Sequence, residues 1–240
     1  MKPSVCFFRA LSVVALASAA AILGLLMHPQ PLFAHSLADG RLEVWSDEAF
    51  DDAAGRRLLA DVDSRISRSP LDKHDGVHRI FVVNTAWRAR LLFLWGYGAG
   101  GLNYYPITRN VFLRRSDIDK GLLSKPSGGF TEPPRTLAYY AAHEIGHSLT
   151  GEAVGPLRYH RLPQWVREGL ADYIALPDAQ DAEALHAKLD AGDPSMDFRK
   201  SGLYARFRLL VTLALGKHGW TYERLLTNPP SQEEAEKLLL

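Results

Sequence analysis

The sequence predicts an α+β fold, and three observations carry the prediction. Short alternating or β-branched segments fall in the first half, at Arg41–Trp45, Arg79–Val83 and Asn110–Leu113. From Thr131 onward the apolar residues recur almost entirely at helical spacing. The chain has 240 residues, 47% hydrophobic, 10% aromatic and 23% charged, with no internal repeat, so it can bury a core and is no disordered tract. Strands followed by helices argue a small N-terminal mixed sheet with helices, then a helical C-terminal half.

Each element has its own warrant. Arg41–Trp45 alternates and predicts a strand, after which Ser46 is placed to cap a helix carrying Phe50, Ala54, Leu58, Leu59, Val62 and Ile66. Ser69-Pro70 through Gly76 reads as a turn, and Arg79–Val83 as a second, more buried strand. Thr85–Trp95 reads as a short helix. Gly96–Gly101 has four glycines in six residues and must be a loop or an irregular edge. Asn110–Leu113 is a third strand, and Ser124–Gly129 another loop. Thr131, with Pro133 and Pro134 behind it, reads as the start of a helix that should end at Gly151. Further helices are expected at Gln164–Ala175, Ala179–Leu189, Leu203–Lys217 and Ser231–Leu240. The domain organisation expected is residues 1–34 as a targeting segment and 35–240 as the folded domain, with a sheet-bearing half at 35–131 and a helical half at 132–240.

The targeting segment follows from the N-terminus. Lys2 and Arg9 precede an apolar run from Ala10 to Met27, and Ala34 offers a small residue for cleavage. This is the pattern of a secretory signal, although a run of 18 residues also reaches the length of an uncleaved signal anchor, with residues 10–27 in the membrane. Both place the domain outside the cytoplasm, as a secreted, periplasmic or membrane-anchored protein. Net charge +1 gives no electrostatic footprint for nucleic acid. The single cysteine, Cys6, excludes a disulfide scaffold, a CxxC redox site and a Cys-ligated zinc.

One cluster carries chemistry. His143-Glu144-Ile145-Gly146-His147 lies in the helix expected after Thr131. Histidines four apart on a helix share one face, so both imidazoles can reach one zinc ion, with Glu144 angled toward a metal-bound water. Leu137, Ala138, Ala141, Ala142 and Ile145 form the opposite, apolar face. In the next helix, Trp165-Val166-Arg167-Glu168-Gly169-Leu170-Ala171-Asp172-Tyr173 sets two carboxylates one turn apart. Glu168 would complete a His2Glu ligand set that leaves one position for water. Asp172 would accept the free N–H of a ligand histidine.

HEIGH followed by WVREGLADY resembles the gluzincin zinc metallopeptidases, the thermolysin and aminopeptidase N clan, and especially its small peptidase MA-like domains. The resemblance implies a zincin-like fold, His143, His147 and Glu168 as ligands of one zinc ion, and Glu144 as the catalytic base. It is firm over Pro134–Ala175 and weak over Val77–Leu113 and Gly202–Leu226. The third histidine of metzincins has no counterpart after His147. The chain also lacks the Gly-x-Met-Glu-Asn pattern by which aminopeptidases hold a substrate amine, so the implied activity is that of an endopeptidase on peptides or proteins. The clan's oxyanion donor is a Tyr or His from the C-terminal half. Tyr204 is the first choice here, with Tyr159 and His160 also eligible. An extended substrate would pair with the edge strand, expected within Gly96–Gly101 and Asn103–Leu113. The alternative is an inactive envelope protein that uses the same fold to bind peptides or a partner. His74, His78, His186 and His218 have no ligand spacing and read as surface or core residues.

Overall fold

The computed structural model describes residues 3–96 and 98–239; Lys2, Tyr97 and Leu240, which fall in segments read above, lie outside the described residues. An N-terminal helix α1 (Pro3–Met27) leads into strands β1 (His35–Asp39) and β2 (Leu42–Ser46), helix α2 (Asp52–Ile66), strand β3 (His78–Val83) and helix α3 (Ala86–Phe93). Strands β4 (Gly101–Asn103) and β5 (Val111–Arg114) complete a five-stranded sheet, and β6 (Ser116–Asp117) with β7 (Leu122–Leu123) forms a separate small hairpin. The rest is helical: α4 (Leu137–Val154), α5 (Pro156–Arg161), α6 (Gln164–Ala175), α7 (Ala182–Asp190), α8 (Phe198–Ser201), α9 (Ala205–Leu215), α10 (Tyr222–Thr227) and α11 (Gln232–Ala235). The architecture is α+β with a small mixed sheet, of order β1-β2-β3-β5-β4. The β2–β3 and β3–β5 pairs are parallel, whereas β1–β2 and β4–β5 are antiparallel.

Strand alternation divides the core in two. Ile80 and Val82 of β3, with Val111 and Leu113 of β5, face a cluster built with α2, α4, α6 and α9. Phe81, Val83 and Phe112 point to the other face and join Leu92 and Phe93 of α3. Leu26 at the end of α1 and Phe33 complete this second cluster, with the Phe33 and Phe81 ring centroids 5.0 Å apart. The buried Asn110 amide donates to the carbonyls of Leu26 at 2.8 Å and Met27 at 3.2 Å. The last turn of α1 is therefore part of the folded domain, while Leu11, Val13, Val14 and Leu16 are exposed. Among the described residues, no helix is long and apolar enough to cross a membrane.

Several boundaries differ from expectation for local reasons. Ser46 is still strand, paired with Val82, and the cap of α2 is Asp51, whose side chain accepts from Ala54 N. The helix expected from Thr131 begins only at Leu137, capped by Thr136. Pro133 and Pro134 each bar the preceding residue from helical conformation, and Thr131 N instead donates to Leu123 O. The helix also runs past Gly151 to Val154. Gly151 stays helical with its carbonyl accepting from the Tyr105 hydroxyl at 2.8 Å, and the stop is Gly155 at φ +79. The expected sheet edge narrows to β4, because Val111–Arg114 lies inside the sheet between β3 and β4. Strand β1, the β6–β7 hairpin, α5, α8 and α10 were not anticipated. The C-terminal helices are shorter than their apolar patterns suggest, and Tyr204 stands at the N-cap of α9 rather than inside it.

Candidate metal centre

Helix α6 packs closely on both sides through glycines, Gly146 of α4 where α4 meets it and its own Gly169 where it meets α9. A Cβ on Gly146 would lie 3.1 Å from Ala171 Cα, and one on Gly169 only 2.6 Å from Phe207 O of α9. Both glycines sit inside the sequence motifs, so the spacing that sets the side chains also brings their helices together. The predicted apolar face of α4 is fully used: Leu137, Ala138, Ala141, Ala142 and Ile145 are all buried in the main core.

The opposite face brings the predicted residues together. Glu168 Oε2 lies 3.3 Å from His143 Nε2 and 3.6 Å from His147 Nε2. One ligand atom from each of the three lies within 4.8 Å of the others, a group able to hold one metal ion. The Nδ1 atoms of both histidines are enclosed without a hydrogen-bond partner. Glu144 is buried one residue along from His143 and accepts the backbone N–H of Asn103 on β4. The strand is close enough that a Cβ on Gly101 would lie 2.8 Å from Glu144 Cγ.

Electrostatics divide the four groups. Burial would lower His143, but Asp172, Glu168 and Glu144 around it carry its pKa up to about 10. Burial lowers His147 to about 4 against the pull of Glu168. Burial raises Glu144 to about 7, opposed by the charge of His143 and aided by that of Glu168. Glu168 is also desolvated, yet the charges of His147 and His143 hold it at about 2. A cation entering here would meet two imidazoles and a carboxylate, and its binding requires both imidazoles to be free of their second proton.

Asp172 is fully buried at the expected place, but the hydrogen bond expected from a ligand histidine is not made. His143 Nδ1 is 3.7 Å from Asp172 Oδ1, and that oxygen instead accepts the Tyr139 hydroxyl at 2.6 Å. Arg208 of α9 donates to the other oxygen at 2.9 Å. Asp172 thus acts on His143 through charge while tying α4, α6 and α9 to one another. Tyr139 and Arg208 were missed as functional positions. Arg208 had a signal, being a charge inside the apolar Phe207–Leu215 run, where burial demands a partner.

Tyr204 is half-buried with its ring stacked on His143, centroids 5.6 Å apart at 16°. Burial and the charges of Glu168, Glu144 and Asp172 raise its pKa, so its hydroxyl keeps its proton, within reach of Glu168. Tyr159 is buried beside His147 at 6.4 Å, and His160 is exposed at the rim. These side chains line a cleft of about 410 Å³ with Tyr139, Tyr140, Arg167 and residues 99–103 of the edge strand. The four other histidines read above stay outside it: His78 is buried in β3, His74 and His218 are exposed, and His186 bonds Leu239 O. No family model, curated protein or solved structure matches the chain.

Proposed function

We propose that the chain is an exported zinc-dependent metallopeptidase of zincin-like fold, an endopeptidase with Glu144 as its general base. The observation that carries this reading is the convergence of His143, His147 and Glu168 beside a buried carboxyl group, in a cleft edged by a strand. The donor set fits the metal. Two imidazole nitrogens and one carboxylate oxygen match a catalytic zinc with one open position. The 3.3 and 3.6 Å separations are near the ~3.3 Å between tetrahedral ligands at zinc distances of about 2.0–2.1 Å. When bound, zinc polarises a carbonyl oxygen and lowers the pKa of water to about 7.

The chain's own residues supply the proton traffic and the positioning. Glu144, whose pKa is raised by burial, takes a proton from water in the cleft and returns it to the departing amine. The protonated Tyr204 hydroxyl donates to the developing oxyanion. As an edge strand of the sheet, β4 aligns an extended peptide by strand addition. Asp172 holds a negative charge behind His143 without competing for the ligand face. The apolar N-terminal stretch directs export, and the docking of Leu26 and Phe33 favours a helix that is kept over one cut away at Ala34.

The binding-only alternative leaves Glu144 without a task, because a peptide-binding module needs no base beside its metal. Metal analysis of the purified chain and its Glu144→Gln variant, with both assayed on a peptide library, tests the choice. One zinc per chain is expected in both, with cleavage falling about 10²- to 10⁴-fold in the variant. Retained zinc with no Glu144-dependent cleavage would leave the binding role.

A further inference from the structure

One cation in the cleft has no acidic partner. Arg167 precedes Glu168 on α6 and lines the same cleft, at the end formed by Tyr159 and His160. Its guanidinium carbon lies 5.8 Å from the Tyr159 ring centroid, and both side chains line the cleft. Among the described residues no carboxylate forms an ion pair with Arg167, and its Nε is enclosed without a hydrogen-bond partner. Arg208, on the neighbouring helix, is by contrast fixed on Asp172. Helix α5, which brings Tyr159 and His160 to the cleft, also carries the exposed Arg158 and Arg161. Glu144 and Glu168 line the same cleft, and Glu168 acts on Arg167 only at a distance. A half-buried guanidinium with no carboxylate in ion-pair contact is poised for one brought by a ligand, because its planar fork matches a carboxylate in a bidentate pair.

Resting on the peptidase reading, we infer that Arg167 and the Tyr159 hydroxyl bind a carboxylate of the substrate, so that the cleft prefers peptides with an acidic group near the bond to be cut. Two sources share this chemistry: the C-terminal carboxylate of a short peptide, and an Asp or Glu side chain. Arg167 is then a specificity determinant and takes no part in bond cleavage.

The test is peptide binding to the zinc-loaded, full-length Glu144→Gln protein, which holds substrate without turning it over. Fluorescent peptides are paired so that members differ only as C-terminal acid against amide, or as internal Asp against Asn. The acidic member of at least one pair should bind about ten- to a hundredfold more tightly. Arg167→Gln should abolish that preference with little effect on the neutral member, and Arg167→Lys should restore part of it. Selectivity in the first pair assigns the chain terminus, and in the second the side chain. Zinc content and the circular dichroism spectrum of each variant establish that Glu168 is still in place. Equal binding of acidic and neutral members to the protein with Arg167 intact would overturn the inference alone. An equal loss for all peptides in Arg167→Gln would do the same, reducing Arg167 to a prop for Tyr159. Failure of every peptide to bind the zinc-loaded protein would overturn the peptidase reading with it.

Discussion

Asp172 and Arg167 lie on the same twelve-residue helix and stand in opposite kinds of wall. Behind the candidate metal centre, Asp172 is fully buried and takes hydrogen bonds from Tyr139 and Arg208, so three helices close around one paired charge. In the cleft, Arg167, Tyr159 and His160 border open space, and among the described residues no carboxylate forms an ion pair with the guanidinium. The first wall spends its polar groups on itself and fixes geometry; the second keeps them available. Substitutions should separate the two, with loss of stability on one side and loss of chemistry or binding on the other.

The largest effect after removal of Glu144 itself is expected at Asp172. Asp172→Asn leaves the buried Arg208 charge without its partner, which should cost about 3–5 kcal/mol of stability. Zinc affinity should fall about 10- to 100-fold as well, because the charge behind His143 is lost. Urea unfolding and metal titration measure the two separately. The double variant Asp172→Asn, Arg208→Met should recover part of the stability and none of the zinc affinity. Recovery of both would mean that Asp172 serves packing alone.

Tyr204→Phe probes the chemistry with the opposite signature. The phenyl ring keeps the stack on His143, so unfolding should hardly change, while on the peptidase reading kcat should fall about 10²- to 10³-fold with the proposed oxyanion donor gone. An unchanged kcat would assign the role to another cleft group, of which Tyr159 is the next candidate.

How much of this was written plainly in the chain depends on how local its cause is. His143, His147 and Glu168 were legible because one helical turn and one motif spacing suffice to place them, and Asp172 was legible in position for the same reason. Its partners were not. Whether Asp172 meets His143 or Tyr139 and Arg208 is settled by how α9 packs on α6, through the contact of Gly169 with the Phe207 backbone, which no local pattern encodes. Of the strands at residues 42–46, 78–83 and 111–114, the first was visible from its alternation and the second from its β-branched content. The strand at His35–Asp39 was hidden, since its buried residue is Leu37 alone among exposed neighbours. Thr131 misled because a hydroxyl before prolines resembles a helix start unless both prolines are counted against the residues before them.

A third buried imidazole shows that burial alone does not decide the charge of the site. His78 is as buried as His143, but its pKa is lowered to about 4, by burial and then by the charges of Arg41 and Arg109. The folded state therefore binds this proton more weakly than the unfolded chain does. Its contribution is complete above the ordinary histidine value near 6.5 and is lost as pH falls from there toward 4, up to about 3 kcal/mol. Urea midpoints taken between pH 7 and 4 should drop in the parent chain and drop less in His78→Gln. Parallel curves would place the acid sensitivity elsewhere.

The smallest effect tests where the domain begins. Leu26 is 2% exposed whereas Leu16, on the same helix, is 71% exposed. Leu26→Ala removes buried methyl groups beside Phe81 and Phe112 and should cost about 2 kcal/mol, the low end for a leucine at the margin of a core. Leu16→Ala removes a side chain with nothing packed over it and should change stability by no more than about 0.5 kcal/mol. A chain starting at His35 should lose at least as much as Leu26→Ala, since Phe33 and the carbonyls that accept from Asn110 go with it. Equal stability of that shortened chain would mean that the aromatic cluster on the outer face of the sheet closes over itself, and that cleavage at Ala34 leaves the domain intact.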